Sequence, residues 1–341
     1  MHLHPSLLTV LVSLASLFAG CRSTAPGTER AAQPSVSWAL AIHGGAGTID
    51  PGRPESERKG YEQALERALE LGRRMLADGA SALDTCEAVV RVLEDDPHFN
   101  AGVGAVFNER GEHELDASIM DGSTLRCGAV AGVRTVRNPV SLARLVMTQT
   151  RHVLLMGEGA EEFATAQGVE RVPNSHFDTE ARRRALEQVL EERRRTGSLT
   201  GPVQQQNAYG TVGCVARDRE GRLAAATSTG GLTGKRYGRV GDTPVVGAGN
   251  YADDMVAVSG TGTGEQFIRH VVGHAIAARM RYGGQSLDEA SRALVFDTLE
   301  KDDGGVIAVD RAGNVAMPFN STGMYRGTAD STGRFEVRVF E

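Results

Sequence analysis

The sequence predicts a mixed α/β chain of the α+β type, with stacked sheets covered by helices. Three observations lead there. Both halves of the chain carry strand-like and helix-like segments. Neither half alternates strand and helix strictly, as a doubly wound sheet requires. Glycine is abundant, 42 of 341 residues, and it clusters where segments meet, the mark of tight turns and close backbone approach.

The elements follow in order. Trp38 to Ile42 is a short apolar run that reads as a strand entering a glycine-rich turn, His43-Gly44-Gly45-Ala46-Gly47. Residues 54–77 have helical spacing, with Tyr61, Leu65, Ala68, Leu69 and Leu76 on or near one face. A second helix is predicted from Ala82 to Glu94, with Ser81 as N-cap and Asp84 placed for a capping box. Val103 to Met120 and Arg126 to Val136 read as strands, with Asp121-Gly122 at the turn between them. Pro139 to Gln149 reads as a helix, His152 to Met156 as a strand and Glu158 to Gln167 as a short helix. Thr179 to Thr196 is densely charged and predicts an exposed helix; residues 197–210 then read as a flexible linker without periodicity.

The character changes after Thr211. Thr211 to Arg217 and Leu223 to Thr229 predict a hairpin around Asp218-Arg219-Glu220-Gly221. Thr243 to Ala248 and Met255 to Ser259 read as strands, Gln266 to Arg281 and Leu287 to Glu300 as helices. Gly305 to Asp310 and Asn314 to Pro318 predict a last hairpin.

Composition narrows the class. The chain is 40% hydrophobic and 23% charged, ordinary for a globular protein. A net charge of −6 argues against nucleic acid as a partner. The first 21 residues do not read as fold. Leu7 to Phe18 is almost wholly apolar, and Phe18-Ala19-Gly20-Cys21 resembles a bacterial lipoprotein signal, although Lys and Arg are missing from Met1-His2-Leu3-His4. This implies export to the periplasm or cell envelope, a lipidated Cys21 as mature N-terminus, and a flexible tether over residues 22–37. Membrane contact is then expected only through that anchor. Cys86, Cys127 and Cys214 remain; an odd number with apolar flanks predicts buried free thiols rather than a disulfide framework.

The chemistry centres on Asn207-Ala208-Tyr209-Gly210-Thr211-Val212-Gly213, where the charged segment gives way to an apolar strand. A threonine hydroxyl needs a base beside it. Cleavage of the Gly210–Thr211 bond would supply one, the α-amine of Thr211 itself.

The ordered set of motifs around this point resembles the plant-type asparaginase and isoaspartyl peptidase family of N-terminal-nucleophile hydrolases. It runs from His43-Gly44-Gly45-Ala46-Gly47 through Phe99-Asn100-Ala101-Gly102-Val103-Gly104, Leu115-Asp116-Ala117 and Met120-Asp121-Gly122. It continues with Gly210-Thr211-Val212-Gly213, Thr227-Ser228-Thr229-Gly230-Gly231, Gly238-Arg239-Val240-Gly241-Asp242, Gly247-Ala248-Gly249 and Thr261-Gly262-Thr263-Gly264-Glu265. The likeness covers about residues 38 to 330.

The resemblance implies a four-layer αββα sandwich. It implies self-cleavage between Gly210 and Thr211 into an α-subunit, residues 38–210, and a β-subunit, residues 211–341, which together form one catalytic domain. Two such pairs are expected to associate as (αβ)₂. It gives Thr211 the role of nucleophile, Thr229 that of holding its hydroxyl, and Thr261 with the Gly262 N–H that of an oxyanion hole. Asn100 is placed near the nucleophile. Arg239 and Asp242 become the grip on the α-carboxylate and α-ammonium of an aspartyl group, with Gly262 and Gly264 beside it. The backbone carbonyls of Leu93, Glu94, Asp96, Phe99, Ala101 and Val103 become ligands of a structural sodium ion, and catalysis needs no cofactor. The expected substrates are β-aspartyl dipeptides and L-asparagine. Sugar-linked asparagine, the substrate of glycosylasparaginases, is the alternative. A non-catalytic binding lipoprotein on the same fold is the reading from another class. Gly234 and Gly260 depart from the residues usual in the family, near the expected substrate pocket.

Three other patterns carry less. His270 and His274 are spaced four apart, but no third zinc ligand is evident. Gly262-Thr263-Gly264 ahead of a helix lacks the Lys-Ser/Thr ending of a phosphate cradle. His43-Gly44-Gly45 as a serine-esterase oxyanion loop requires a Gly-x-Ser-x-Gly elbow, which the chain lacks.

Overall fold

The computed structural model describes residues 36–47, 49–197 and 210–340. The expected leader with Cys21, most of the tether, and residues 198–209 of the expected linker lie outside the described residues. No helix among the described residues is long and apolar enough to cross a membrane.

Before Thr211 the order is β1 (Ala39–Gly47), α1 (Glu55–Ala77), α2 (Ala82–Glu94), β2 (Leu115–Asp121), β3 (Cys127–Val133), α3 (Pro139–Gln149), β4 (Leu154–Met156), α4 (Gly157–Ala166) and α5 (Glu180–Thr196). After it come β5 (Val212–Arg217), β6 (Leu223–Thr229), β7 (Asn250–Ala252), β8 (Val256–Gly262), α6 (Gly264–His270), α7 (Val272–Gly283) and α8 (Leu287–Arg292). The chain ends with β9 (Gly304–Asp310), β10 (Val315–Ala316), β11 (Gly323–Asp330) and β12 (Phe335–Arg338).

The strands form two sheets. One has eight strands in the order β12-β11-β1-β5-β6-β2-β3-β4; the other has four, β10-β9-β8-β7. Residue size decides how they stack. In β1, Leu40 and Ile42 point into the core shared with α1 and α2, while Ala39 and Ala41 point at the other sheet. β5 and β6 repeat the pattern: Cys214 and Ala226 face the helices, Val215 and Ala225 the second sheet. Ala257, Ile307 and Val309 meet them from the small sheet, whose other face packs Val258 and Val306 on Ile276, Leu287 and Leu294. Small side chains between the sheets let them pack face to face. The result is the four-layer αββα arrangement of the N-terminal-nucleophile hydrolases.

Helix α1 shows how patterning selects the layer. Ala64, Leu65, Ala68, Leu69, Gly72 and Leu76 form one buried stripe, and charged residues cover the rest. Ser81 caps α2 by accepting from the Asp84 N–H, but the Asp84 carboxylate takes the Ser81 hydroxyl instead of closing a capping box on the backbone.

Several expectations are corrected. β1 runs through His43 to Gly47 as bulged strand, not turn, because β11 pairs with it on one side as far as Gly47. Residues 103–114 are loop, held by buried polar groups rather than by a ladder. Thr243 to Ala248 is a run of turns. The helix expected at Gln266 to Arg281 is two helices, broken at Val271 with φ 48°, so His270 and His274 do not share one helix. Beyond α8 the chain winds as π-helix over Ala293–Thr298. β7, β11 and β12 were not expected from the sequence. Cys86 and Cys214 are buried free thiols, whereas Cys127 is only half-buried.

Candidate active site

β5 and β6 are antiparallel, with Val212 opposite Ser228. One residue beyond that pair, Thr211 and Thr229 come side by side, and their hydroxyl oxygens stand 3.0 Å apart. Thr229 also accepts the Gly231 N–H at 3.1 Å, which leaves its own proton available for Thr211 Oγ1. Thr229 is buried; Thr211 is partly open.

The peptide preceding Thr211 is tightly enclosed. Gly210 has φ 143°, a conformation that side chains rarely adopt. A Cβ there would stand 2.4 Å from the Asn100 nitrogen, and one on Gly45 of β1 would stand 2.4 Å from the Gly210 nitrogen. The three backbones therefore meet with no room for side chains. Asn100 donates its backbone N–H to the Gly210 carbonyl at 2.9 Å. Its side chain is engaged elsewhere: Oδ1 accepts from the Val106 N–H at 2.9 Å and Nδ2 donates to the Gly231 carbonyl at 2.8 Å. The group offered to the carbonyl before Thr211 is thus the main-chain donor.

Thr261 lies at the end of β8, buried, and its hydroxyl accepts the Ala46 N–H of β1 at 3.2 Å. This bond joins the small sheet to the β1 segment that encloses Gly210. Gly262 follows with φ 150°, packed so closely on the Asp303 carbonyl that a Cβ would stand 1.9 Å from its oxygen.

Arg239 and Asp242 converge on Gly264, at the start of α6. A Cβ on Gly264 would stand 2.8 Å from both Arg239 Nη2 and Asp242 Oδ1. Asp242 is buried, its Oδ2 has no hydrogen-bond partner, and burial lifts its carboxyl to about 6. An unpartnered buried carboxylate beside a guanidinium is suited to an ammonium group. The Nε and Nη2 edge of Arg239 rests on Glu265, with both bonds at 2.9 Å.

Below this site runs the loop from α2. The carbonyls of Glu94 and Asp96 accept backbone N–H groups from Val103 and Phe99, and that of Leu93 accepts from Asp95 and Asp96 at the end of α2. The Pro97 and Phe99 carbonyls close on Gly104, where a Cβ would stand 2.5 and 2.8 Å from them. A glycine-lined turn crowded with carbonyl oxygens suits a hard cation.

Two departures have packing reasons. Gly234 sits under α5 with φ 66°, its missing Cβ 3.1 Å from Val189 and 3.2 Å from Arg193; asparagine tolerates the same left-handed conformation. Gly260 leaves room for Phe267, whose ring a Cβ would approach to 2.5 Å.

Sequence reasoning missed the polar residues behind the nucleophile. His43 Nδ1 bonds the Thr211 carbonyl at 2.9 Å, and its Nε2 lies 2.8 Å from Ser259 Oγ. The signal was present in a histidine opening the His43-Gly44-Gly45 string, but the string was read as a turn.

Comparison with known proteins places the chain in a family. The family model described as asparaginase matches residues 36–339. An isoaspartyl peptidase of Salmonella typhimurium is 53% identical, the match covering 84% of this chain and 93% of that protein. The isoaspartyl peptidase of Escherichia coli is 52% identical over 84% of this chain and 91% of that protein. An isoaspartyl peptidase/L-asparaginase of Bos taurus is 45% identical over 84% and 91%. With the family model matched along nearly the whole described chain and relatives this similar, the chain belongs to the asparaginase family.

Proposed function

We propose that this chain is a threonine amidohydrolase that cuts itself at Gly210–Thr211 and then hydrolyses β-aspartyl peptides and L-asparagine. The observation that carries the reading is the 3.0 Å approach of Thr211 Oγ1 to Thr229 Oγ1, on the residue that follows an enclosed glycyl carbonyl. In maturation, Thr211 Oγ attacks the Gly210 carbonyl carbon. The Asn100 N–H supports the charge gathering on its oxygen. The C–N bond breaks, the acyl group moves to Oγ, and water hydrolyses the ester. Gly210 then ends in a carboxylate and Thr211 begins with a free amine.

That amine, with a reference pKa of about 7.7–8.0, accepts the hydroxyl proton in the mature enzyme. Oγ attacks the side-chain amide carbonyl of the substrate. Thr261 and the Gly262 N–H face the developing oxyanion in this reading, and the proton passes to the leaving amine. Water then resolves the β-aspartyl ester to aspartate. Ammonia leaves from L-asparagine, an amino acid or peptide from a β-aspartyl peptide. Arg239 and Asp242 hold the α-carboxylate and α-ammonium common to both. These groups all belong to the chain, so no cofactor enters a step.

The names of the relatives above support this substrate class. It is tested by comparing kcat/KM for a β-aspartyl dipeptide, L-asparagine and a sugar-linked asparagine with mature protein. Turnover of the first two, abolished in Thr211→Ala, is expected. Turnover of the third alone would replace this reading with that of a glycosylasparaginase.

Three further properties belong to the same proposal. The carbonyl-rich loop holds a sodium ion through Leu93, Glu94, Asp96, Phe99, Ala101 and Val103, an assignment its packed glycyl turn supports. Two αβ pairs associate as (αβ)₂. Cys21 carries a lipid anchor that places the enzyme in the cell envelope; its support is the Leu7 to Cys21 pattern, and Cys21→Ser is expected to release the protein from membranes.

A further inference from the structure

A buried polar chain runs from β6 of the large sheet, through β8 of the small sheet, to the nucleophile. Thr227 Oγ1 in β6 is 2.7 Å from Ser259 Oγ in β8, and Ser259 Oγ is 2.8 Å from His43 Nε2 in β1. His43 Nδ1 is 2.9 Å from the Thr211 carbonyl oxygen. Thr227, Ser259 and His43 are all fully buried. Gly213 makes the space they occupy, since a Cβ there would stand 2.1 Å from Ser259 Oγ and 2.3 Å from His43 Nε2.

The direction of this chain follows from donors and acceptors. A carbonyl oxygen can only accept, so His43 Nδ1 carries a proton. Burial lowers the His43 pKa to about 3, so the ring is neutral and its Nε2 is an acceptor. Ser259 must then donate to Nε2, which leaves its oxygen to accept from Thr227 at 2.7 Å, the shortest contact of a hydroxyl that also has the Gly249 carbonyl and Asn250 Oδ1 within 3.3 Å. The Thr211 carbonyl therefore selects the Nδ1–H tautomer, and Ser259 accommodates it by donating to Nε2.

We propose that His43 is a positioning residue for Thr211, and that Ser259, by accepting no proton from Nε2 and donating to it, supports the tautomer with which it does so. The inference rests on the reading of Thr211 as a nucleophile freed by cleavage. Once the bond is cut, the Asn100 contact leaves with Gly210, and Thr211 becomes a chain end of the kind that frays unless tied down. Two bonds then orient it: Thr229 on the hydroxyl and His43 on the carbonyl. Held at both, the residue keeps its amine and hydroxyl side by side. A misplacement of about 1 Å at this point costs on the order of a hundredfold in rate.

The test has two arms. The first is ¹⁵N NMR of the histidine-labelled protein. His43 is expected as a neutral ring protonated on Nδ1 from pH 5 to 9, in both cleaved and uncleaved protein. An Nε2-protonated or titrating ring would overturn the relay. The second is kinetics on mature variants. His43→Asn keeps a donor near the Nδ1 position and is expected within about tenfold of wild-type kcat. His43→Gln keeps only the Ser259 contact and is expected to lose about a hundredfold in kcat with KM within about twofold. Ser259→Ala removes a single oxygen, carries the test if the His43 variants do not fold, and is expected to lose about tenfold in kcat at unchanged KM. Full kcat in Ser259→Ala, or equal activity of the Asn and Gln variants, would overturn the proposal in an enzyme that still cleaves and turns over. A wild-type chain that never cleaves would instead sink the nucleophile reading, and leave the NMR result standing.

Discussion

The Asn100 N–H donates to the Gly210 carbonyl at 2.9 Å, and the Asn100 side chain clamps the turn that presents this donor. Removing the clamp should blunt the donor without touching Thr211. Asn100→Ala is expected to slow conversion of precursor to fragments by at least about tenfold, followed by gel electrophoresis of freshly made protein. Conversion at the wild-type rate would mean that the N–H does not support the cleavage step.

Thr229 acts on Thr211 through one hydroxyl contact. Thr229→Val keeps the volume and loses the bond, so kcat is expected to fall about a hundredfold with KM little changed. Thr229→Ser restores the oxygen and should recover most of the loss. Equal rates in the valine and serine variants would remove Thr229 from the mechanism.

Asp242 gives a pH signature. Burial raises its carboxyl to about 6, and below that pH it is protonated and cannot balance an ammonium group. KM is therefore expected to rise as pH falls below about 6. The fall in kcat belongs to the amine and is centred higher, at about 7.7–8.0. Asp242→Asn should raise KM throughout and abolish its inflection. A KM inflection that survives in Asp242→Asn would assign it to another group.

Glu94 makes a stability prediction. Its Oε1 accepts from the Val140 N–H at 3.0 Å and the Ser228 hydroxyl at 2.7 Å, while buried Oε2 has no partner. Burial raises the carboxyl to about 8, above its unfolded value. A group raised in this way contributes stability that is present below the unfolded pKa and lost as pH rises through the folded one. Glu94→Gln mimics the neutral form. It is expected to melt near wild type at pH 5 and at least about 4 °C higher at pH 9. Equal melting temperatures at both values would mean that Glu94 ionises freely in the fold.

Much of this site was legible because it lies on one hairpin. Counting outward from the five-residue loop Asp218 to Arg222 pairs Arg217 with Leu223 and brings Thr211 opposite Thr229. What could not be read were contacts between distant segments. His43 and Ser259 are 216 positions apart and meet only because the two sheets stack. Glycine-rich strings were read as turns, since glycine permits turns; in β1 and around Gly210 the same residue serves close backbone approach within extended chain. The break at Val271 was hidden because a β-branched residue with positive φ runs against local preference, and its position is set by the tertiary fold.

The most direct measurement is the intact mass of protein expressed without residues 1–21, together with the N-terminal sequence of any smaller fragment. The account predicts two chains from the wild type, the second beginning at Thr211, and a single uncut chain from Thr211→Ala. A wild-type chain that stays whole while turning over a β-aspartyl peptide would contradict it.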